Sequence, residues 1–211
     1  MIALVTGGAS SGKSAYAEHL ACSLPGNRYY LAAMKPFGEE GARRIERHRA
    51  LRAGKGFATI ECYEGLGEAF RFERAVSSEE TSTALLESLG NVVANEQFAE
   101  DWSCVPYDEV LNTVLDGVAH VASLFDNLVI VGDEVGGDGL HYDETTEAYI
   151  QLMGTIACAI AARCDLVIEC VAGQPFTIKG NLNASEGTVP GDAKRTGGDS
   201  PQRCSVEGRR A

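Results

Sequence analysis

The segment Ile2-Ala3-Leu4-Val5-Thr6-Gly7-Gly8-Ala9-Ser10-Ser11-Gly12-Lys13-Ser14 joins an apolar run to a glycine-rich loop. Its part from Gly7 to Ser14 fits the phosphate-loop pattern G-x-x-x-x-G-K-[ST], in which glycines let backbone N–H groups turn toward an anion. Ile2–Thr6 is typical of a buried strand, and we expect a helix to begin near Lys13. A strand before the loop and a helix after it are the context this motif requires, so the segment predicts a nucleotide site.

The residues that the motif specifies have chemical roles. Lys13 can reach the β- and γ-phosphates, the Ser14 hydroxyl can ligate Mg²⁺, and the helix N-terminus adds about half a positive charge. The alternative, a glycine-rich turn that binds nothing, is disfavoured by the flanking strand and helix. A phosphate loop serves kinases, hydrolases and switches alike, so it does not by itself name a reaction.

Beyond this loop, short apolar runs alternate with helical patterns up to about residue 180. The predicted strands are Ile2–Thr6, Tyr29–Ala33, Phe57–Glu61, Thr83–Leu86, Leu128–Val131 and Leu166–Val171. The predicted helices run from Lys13 to before Pro25, from Gly41 to about Ala53, from after Glu61 to about Ala75, over Val105–Leu124, and around Tyr149–Ile160. Strands separated by helices need crossover connections, so we predict an α/β fold of the P-loop NTPase type. It has a mostly parallel sheet with helices on both faces.

Composition divides the chain into two parts. Residues 181–211 contain no aromatic residue, isoleucine or methionine and are rich in Gly, Ser, Asp, Pro and Arg. Such a segment cannot bury enough apolar surface to offset its ordering entropy, which predicts a disordered C-terminal tail. We therefore expect one folded nucleotide-binding domain over 1–180 and a tail over 181–211.

The overall charge restricts the partners. The chain of 211 residues carries a formal net charge of −12, and such a field repels nucleic acid. No apolar run is long enough to span a bilayer, and the first residues lack the features of a signal peptide. We therefore expect a cytoplasmic protein without nucleic-acid partners, whose anion sites are made locally.

One segment runs against this acidity. Residues 43–55 contain six basic side chains and a single acidic one, Glu46, which gives the segment a local charge of +5. The basic residues are Arg43, Arg44, Arg47, Arg49, Arg52 and Lys55. On a helix, Arg44 and Arg52 share the face of His48, and the guanidinium groups of Arg44 and Arg47 would clamp phosphate oxygens beside a nucleophilic imidazole. The alternative is an exposed charged helix with an incidental histidine.

Acids follow two of the predicted strands. Glu87 follows Thr83–Leu86, and Asp133-Glu134 follow Leu128–Val131. Ligands of open parallel sheets bind beyond the carboxyl ends of the strands, so these acids are candidates for Mg²⁺ ligation or for accepting a substrate proton. Glu87 suits a Walker-B-like catalytic and metal position, and Asp133 and Glu134 suit a substrate-side position. The alternative is that all three are solvated loop acids.

Together these segments resemble the bifunctional adenosylcobinamide kinase/adenosylcobinamide-phosphate guanylyltransferase family. The resemblance covers roughly residues 1–180. It rests on the phosphate loop, on Arg44-Ile45-Glu46-Arg47-His48-Arg49 with Arg52, on Phe57-Ala58-Thr59-Ile60-Glu61, on Leu85-Leu86-Glu87 leading to Asn95, and on Val131-Gly132-Asp133-Glu134-Val135-Gly136. The arginine-histidine segment is its most specific part.

The resemblance implies two reactions in cobalamin biosynthesis. Adenosylcobinamide, a corrinoid, is phosphorylated with ATP or GTP, and GMP then passes from GTP through a histidine to adenosylcobinamide phosphate, giving adenosylcobinamide-GDP. The matching nucleophile is His48. The matching nucleotide contacts are Gly7 to Ser14, Ala32, Ala33, Met34, Arg49, Ala50, Leu51, Arg52 and Glu61. Mg²⁺ and a homo-oligomer are further expectations from the resemblance.

Two alternatives stay open. The family pattern has a Thr or Ser pair where this chain has Ala33-Met34, and Asn where it has Asp133. These differences motivate a small-molecule kinase whose transferase half has decayed. A non-catalytic GTP-binding regulator is the alternative of a different class.

Overall fold

A computed structural model describes residues 1–35, 38–39, 41, 43, 45–46, 50, 54–63, 65–66, 80–98 and 104–181. The strands are β1 (Ile2–Thr6), β2 (Asn27–Ala32), β3 (Phe57–Glu61), β4 (Ser82–Glu87), β5 (Asn127–Val131), β6 (Leu166–Val171) and β7 (Gln174–Lys179). The helices with described boundaries are α1 (Lys13–Ser23), α2 (Leu89–Gln97), α3 (Tyr107–Leu124) and α4 (Glu144–Arg163).

The strands form one sheet in the order β3-β2-β4-β5-β1-β6-β7. The first six strands in this order are mutually parallel, and β7 pairs with β6 in the antiparallel sense. The chain crosses from β1 to β2 through α1, and from β5 to β6 through α4. The prediction of a mostly parallel α/β sheet is confirmed.

Side chains alternate between two buried faces of the sheet, as the two-residue period of a strand requires. Val5 and Val129 lie on the face that α1 covers, together with Leu20 of that helix. Leu4 and Ile130 lie on the other face, against the apolar sides of α2, α3 and α4. Helices therefore cover both faces of the sheet, as predicted, and the strands between them read as continuous apolar runs.

Two elements were absent from the prediction. Strand β7 follows β6 through Ala172-Gly173, which have φ angles of 49° and 79°. Positive φ at both central residues is the feature of the tight hairpin turn that returns a strand alongside its predecessor. Helix α2 has buried Leu89, Val92 and Val93, a spacing of three and four residues that is itself a helical signal.

Several predictions lie partly or wholly outside the described residues. Of the predicted helix from Gly41 to Ala53, the described positions 41, 43, 45, 46 and 50 have helical backbone. Of the predicted helix after Glu61, the described positions 62, 63, 65 and 66 are not helical, and the rest, up to about residue 75, lies outside the described ranges. The tail after Asn181 also lies outside them, so the division into domain and tail stays a prediction. Across the described residues, no helix combines the length and apolarity needed to cross a bilayer.

Candidate active site

The parallel strands end at one edge of the sheet, and a cavity opens there. Ala32 at the end of β2 is in register with Glu61 of β3 and with Glu87 of β4. The cavity has a volume of about 530 Å³. Its lining residues are Ala9, Ser10, Lys13, Ser14, Tyr30, Ala32, Met34, Ile45, Thr59, Glu61, Tyr63, Glu87, Ser88, Gly90, Asn91, Ala94, Val131, Asp133, Glu134, Val135 and Tyr149.

The phosphate loop has the backbone that an anion cradle requires. Gly7 and Gly12 have φ angles of 149° and 92°, in a region that glycine adopts at little cost. Ser10 between them also has a positive φ, 58°. The N–H of Ser11 donates to the Gly8 carbonyl at 3.2 Å, and α1 begins immediately after Gly12. The loop is supported from the β6–β7 turn, where the N–H of Gly173 donates to the Ser11 carbonyl at 2.9 Å.

Lys13 is held between the loop and the end of β5. Its Nζ donates to the Gly8 carbonyl at 3.1 Å and lies 3.2 Å from Oδ1 of Asp133. The Lys13 side chain is 11% exposed and that of Asp133 28%, so water screens this ion pair only in part. The lysine therefore stands over the loop, where the phosphates of a nucleotide would be bound.

Glu87 ends β4 on the same cavity wall. Its Oε2 accepts a hydrogen bond of 2.9 Å from the hydroxyl of Tyr30, a residue of the neighbouring strand β2. Next to it, Asn91 Nδ2 donates to Ser88 Oγ at 3.1 Å at the start of α2. Glu87 and Ser14 both line this cavity, and the hydrogen bond from Tyr30 restricts the rotamers of Glu87.

A tyrosine of α4 closes the wall beside Asp133. The Tyr149 hydroxyl donates to the Gly90 carbonyl at 3.1 Å. Burial, with a smaller contribution from the negative charge of Asp133, raises the pKa of Tyr149 to about 12. The phenol therefore stays protonated at neutral pH and acts as a hydrogen-bond donor rather than as a base.

The cavity brings together many of the residues singled out in the sequence. The predicted site residues in its wall are Ala9, Ser10, Lys13, Ser14, Ala32, Met34, Glu61 and Glu87. Gly7, Gly8, Ser11 and Gly12 shape the loop behind that wall. Ala33 is fully buried and its carbonyl accepts a 2.8 Å hydrogen bond from Asn95, whereas Ala50 is exposed and outside the wall.

The arginine-histidine segment reaches the cavity at one described residue. Ile45, three positions before His48 in the sequence, lines the wall. Arg44, Arg47, His48, Arg49, Leu51 and Arg52 lie outside the described residues, so their predicted roles stay predictions.

Sequence reasoning missed Tyr30, Gly90 and Tyr149. Tyr30 and Tyr149 each fit an apolar pattern as core residues, and nothing in that pattern indicates that their hydroxyls reach a cavity. Gly90 lies near the start of α2, a helix that was not predicted. No sequence signal therefore indicated that the Asp133 carboxylate packs against it.

A phosphate loop between strand and helix, at the carboxyl edge of a mostly parallel sheet, defines a P-loop nucleotide-binding protein. The family model for cobinamide kinase/cobinamide phosphate guanyltransferase matches residues 3–178. The chain therefore belongs to this family. That match confirms the family and the kind of enzyme that the resemblance indicated.

Curated relatives agree with the family match. The chain is 29% identical over 177 residues to the bifunctional adenosylcobalamin biosynthesis protein CobP of Pseudomonas aeruginosa, covering 84% of this chain and 96% of the relative. It is 28% identical over 187 residues to the protein CobU of Salmonella typhimurium, covering 85% and 100%. A solved ATPase from a type III secretion system superposes at 9% identity with a TM-score of 0.42, over 80% of this chain and 50% of that one, and bears on neither activity nor substrate.

Proposed function

We propose that this enzyme catalyses both reactions for which its family is named: phosphorylation of adenosylcobinamide, and transfer of GMP from GTP to adenosylcobinamide phosphate. The observation that carries the proposal is the cavity at the carboxyl edge of the sheet. Its wall contains Lys13 and Ser14 of the phosphate loop, Glu87 of β4, and Ile45 of the arginine-histidine segment.

In the kinase reaction, the hydroxyl oxygen of adenosylcobinamide attacks the γ-phosphorus of ATP or GTP. The bond from that phosphorus to the bridging oxygen breaks, and the nucleoside diphosphate leaves. The hydroxyl proton passes to a carboxylate, a role for which the position of Glu87 beside the phosphate loop is suited. Lys13 and the loop N–H groups stabilise the charge that develops on the phosphate oxygens.

The residues present fit a Mg²⁺ ion. Mg²⁺ is usually held by one or two protein groups together with substrate phosphates and water, and the Ser14 hydroxyl and Glu87 carboxylate provide such a pair. In the described part of the chain, no cluster of three or more His, Cys, Asp or Glu offers an all-protein cage, which agrees with this mode. When bound, Mg²⁺ neutralises charge on the phosphates, and EDTA is expected to abolish phosphoryl transfer.

In the transferase reaction, an imidazole nitrogen of His48 attacks the α-phosphorus of GTP. An N–P bond forms, the bond from the α-phosphorus to the bridging oxygen breaks, and pyrophosphate leaves. A phosphate oxygen of adenosylcobinamide phosphate then attacks the same phosphorus and the N–P bond breaks. The imidazole leaves as a neutral group, because its other ring nitrogen keeps its proton. Arg44 and Arg47 are proposed to clamp the phosphates.

The guanine nucleotide would be held by residues in and beside the wall. We assign its contacts to the phosphate loop, to the backbone and side chains at Ala32, Ala33 and Met34, to Glu61, and to the segment from Arg49 to Arg52. The register of Ala32 with Glu61 supports a common site for the strand-end contacts. A homo-oligomer also remains an expectation from the family.

The transferase half is tested by labelling the protein with GTP carrying ³²P at the α-phosphate. We expect covalent label that survives base and is lost in acid, as a phosphoramidate should be. The His48→Ala variant should give none. The matched control is His141→Ala, which removes an exposed histidine of the β5–α4 loop that lies outside the cavity wall and should keep the label. Equal labelling of wild type and His48→Ala would exclude the proposed carrier.

The kinase half is tested separately with γ-labelled ATP and adenosylcobinamide. We expect label in the corrinoid product with wild type and with His48→Ala, and a large loss with Glu87→Gln. Phosphorylated corrinoid without any protein label in the wild type would identify a kinase that has lost its transferase half. Nucleotide binding with neither reaction would identify a regulator.

A further inference from the structure

The phosphate loop makes an ion pair within the protein itself. Lys13 has three N–H donors, of which one faces the Gly8 carbonyl at 3.1 Å and another faces Oδ1 of Asp133 at 3.2 Å. The Asp133 carboxylate is an anion bound by the group that contacts phosphate in a phosphate loop.

The surroundings of Asp133 hold its side chain in this place. The N–H of the next residue, Glu134, donates to the Gly7 carbonyl at 3.3 Å, which ties the end of β5 to the phosphate loop. On the other side, a Cβ added at Gly90 would lie 2.7 Å from Oδ2 of Asp133, so the carboxylate occupies space that is open only because residue 90 is glycine. Tyr149 closes this position through its hydrogen bond to the Gly90 carbonyl.

The phosphates of a nucleotide and the Asp133 carboxylate would compete for the ammonium group of Lys13. A triphosphate needs the lysine for its β- and γ-oxygens, and it brings several negative charges close to a carboxylate that is itself only 28% exposed. Like charges in such a partly desolvated site repel more strongly than in water. Either the ion pair opens or the two anions share one cation.

We propose that Asp133 is an internal competitor of the nucleotide phosphates for Lys13, and that its carboxylate weakens nucleotide binding. The contact keeps the lysine over the loop before a nucleotide arrives, and it gives way when the phosphates enter. Removing the charge at residue 133 therefore strengthens binding, which is the opposite of what the loss of a binding or catalytic residue would do. The inference rests on the nucleotide site of the proposed function, but His48 and the transferase reaction play no part in it.

The test is equilibrium titration of the full chain with GTP, once with EDTA and once with excess Mg²⁺. We expect Asp133→Asn to lower the Kd by about tenfold in EDTA. The gain should be smaller with Mg²⁺, because the cation already neutralises part of the phosphate charge. Asp133→Ala should behave in the same way, and thermal denaturation of each variant shows that it is folded.

The matched control is Asp138→Asn. It removes the same charge from the same loop, but the Asp138 side chain is exposed, pairs with Tyr142 and lies outside the cavity wall. Its Kd should stay within about twofold of wild type, so a gain equal to that of Asp133→Asn would mean that net charge alone is responsible and would overturn the proposal.

Two other results contradict the proposal. If Asp133→Asn and Asp133→Ala bind GTP no more tightly than wild type, the ion pair does not compete with phosphate. If they bind Mg²⁺-GTP more weakly while metal-free GTP is unaffected, Asp133 is a metal ligand instead. In both cases the wild type still binds GTP, so the proposed function is unaffected. If the wild type binds no GTP, both the proposed function and the competition between Asp133 and phosphate are excluded.

Discussion

The hydroxyl of Tyr30 donates a 2.9 Å hydrogen bond to Oε2 of Glu87 across adjacent parallel strands. Tyr30 is 4% exposed, so its ring is fixed by packing while its hydroxyl reaches the cavity edge. The pair holds the carboxylate proposed to accept the substrate proton in one orientation, and Tyr30 is therefore a positioning residue.

The first prediction concerns this pair. Tyr30→Phe should lower kcat of phosphoryl transfer about 3- to 10-fold, the effect of losing one hydrogen bond of about 1 kcal/mol, with little change in KM for ATP. Steady-state kinetics with adenosylcobinamide measure both constants. Tyr29→Phe is the control, because Tyr29 points to the opposite face of the sheet and packs on Phe125 with ring centroids 5.4 Å apart. Equal losses in both variants would argue against positioning.

The second prediction compares two adjacent glycines of the phosphate loop. A Cβ at Gly7 would lie 2.5 Å from the Cys170 carbonyl oxygen, and its φ of 149° is unfavourable for other residues, whereas a Cβ at Gly8 meets nothing within 4 Å. Gly7→Ala should therefore lower Tm by at least about 5 °C, from strain and overpacking together. Gly8→Ala should leave Tm within about 2 °C. Thermal denaturation followed by circular dichroism measures both, and similar Tm values for the two variants would refute the close approach.

The third prediction concerns the start of α4. Asp143 Oδ1 accepts hydrogen bonds from the N–H groups of Thr145 and Thr146, both at 3.1 Å, and Oδ2 accepts one from the Thr146 hydroxyl. These bonds, the Thr146 hydroxyl first, hold the pKa of Asp143 below its ordinary value. A carboxyl with a lowered folded pKa contributes stability that is present above its unfolded pKa and is lost as the pH falls through the folded one.

Asp143→Ala should therefore lower Tm by a few degrees at pH 7, and the difference from wild type should shrink at pH 3 and below. Asp143→Asn keeps a side chain that caps helices well, so its Tm at pH 7 should fall less than that of Asp143→Ala. Because asparagine does not ionise, the contribution of residue 143 to Tm should no longer depend on pH. Melting curves of the three proteins from pH 7 to pH 2 give these values. If the difference in Tm between Asp143→Ala and wild type is the same at every pH, the ionised form of Asp143 does not stabilise the protein.

The fourth prediction uses the cysteines as reporters of the fold. Burial raises the pKa of Cys62 to about 12 and that of Cys164 to about 11, whereas Cys104 and Cys158 are exposed. Because the thiolate is the reactive form, iodoacetamide at pH 8 should modify Cys104 and Cys158 and spare the buried pair. Peptide mass spectrometry identifies the modified sites, and unfolding in guanidinium before labelling is the control. Modification of Cys62 as fast as Cys158 in the native protein would contradict the described core.

Local patterns were sufficient for the central part of the fold. The boundaries of β1, β3 and β6 agree with the prediction, and the buried valines of α3 at positions 110, 114, 118 and 121 are those of the predicted stripe. Strands of this kind are apolar throughout because both faces of the sheet are covered. The hairpin to β7 was not predicted, because its turn is only Ala172-Gly173 and its strand carries exposed Phe176 and Ile178.

Part of the lining of the candidate site was predictable from local sequence. Lys13 and Ser14 follow from the phosphate loop, and Glu87 from its place at a strand end, and all three line the cavity. The Lys13–Asp133 pair was not predictable, because the two residues are 120 positions apart and no local pattern indicates which of the strand-end acids meets the lysine.

The amino-acid order alone determined the phosphate loop, the alternation of strands and helices, and the two-sided burial, because these depend on interactions between near neighbours and on apolar periodicity. The tertiary structure decided which acid pairs with Lys13, which tyrosine orients Glu87, and where Ile45 stands, because those contacts depend on the spatial order of strands. That order places β5 beside β1 and β2 beside β4, and no short stretch of sequence contains it.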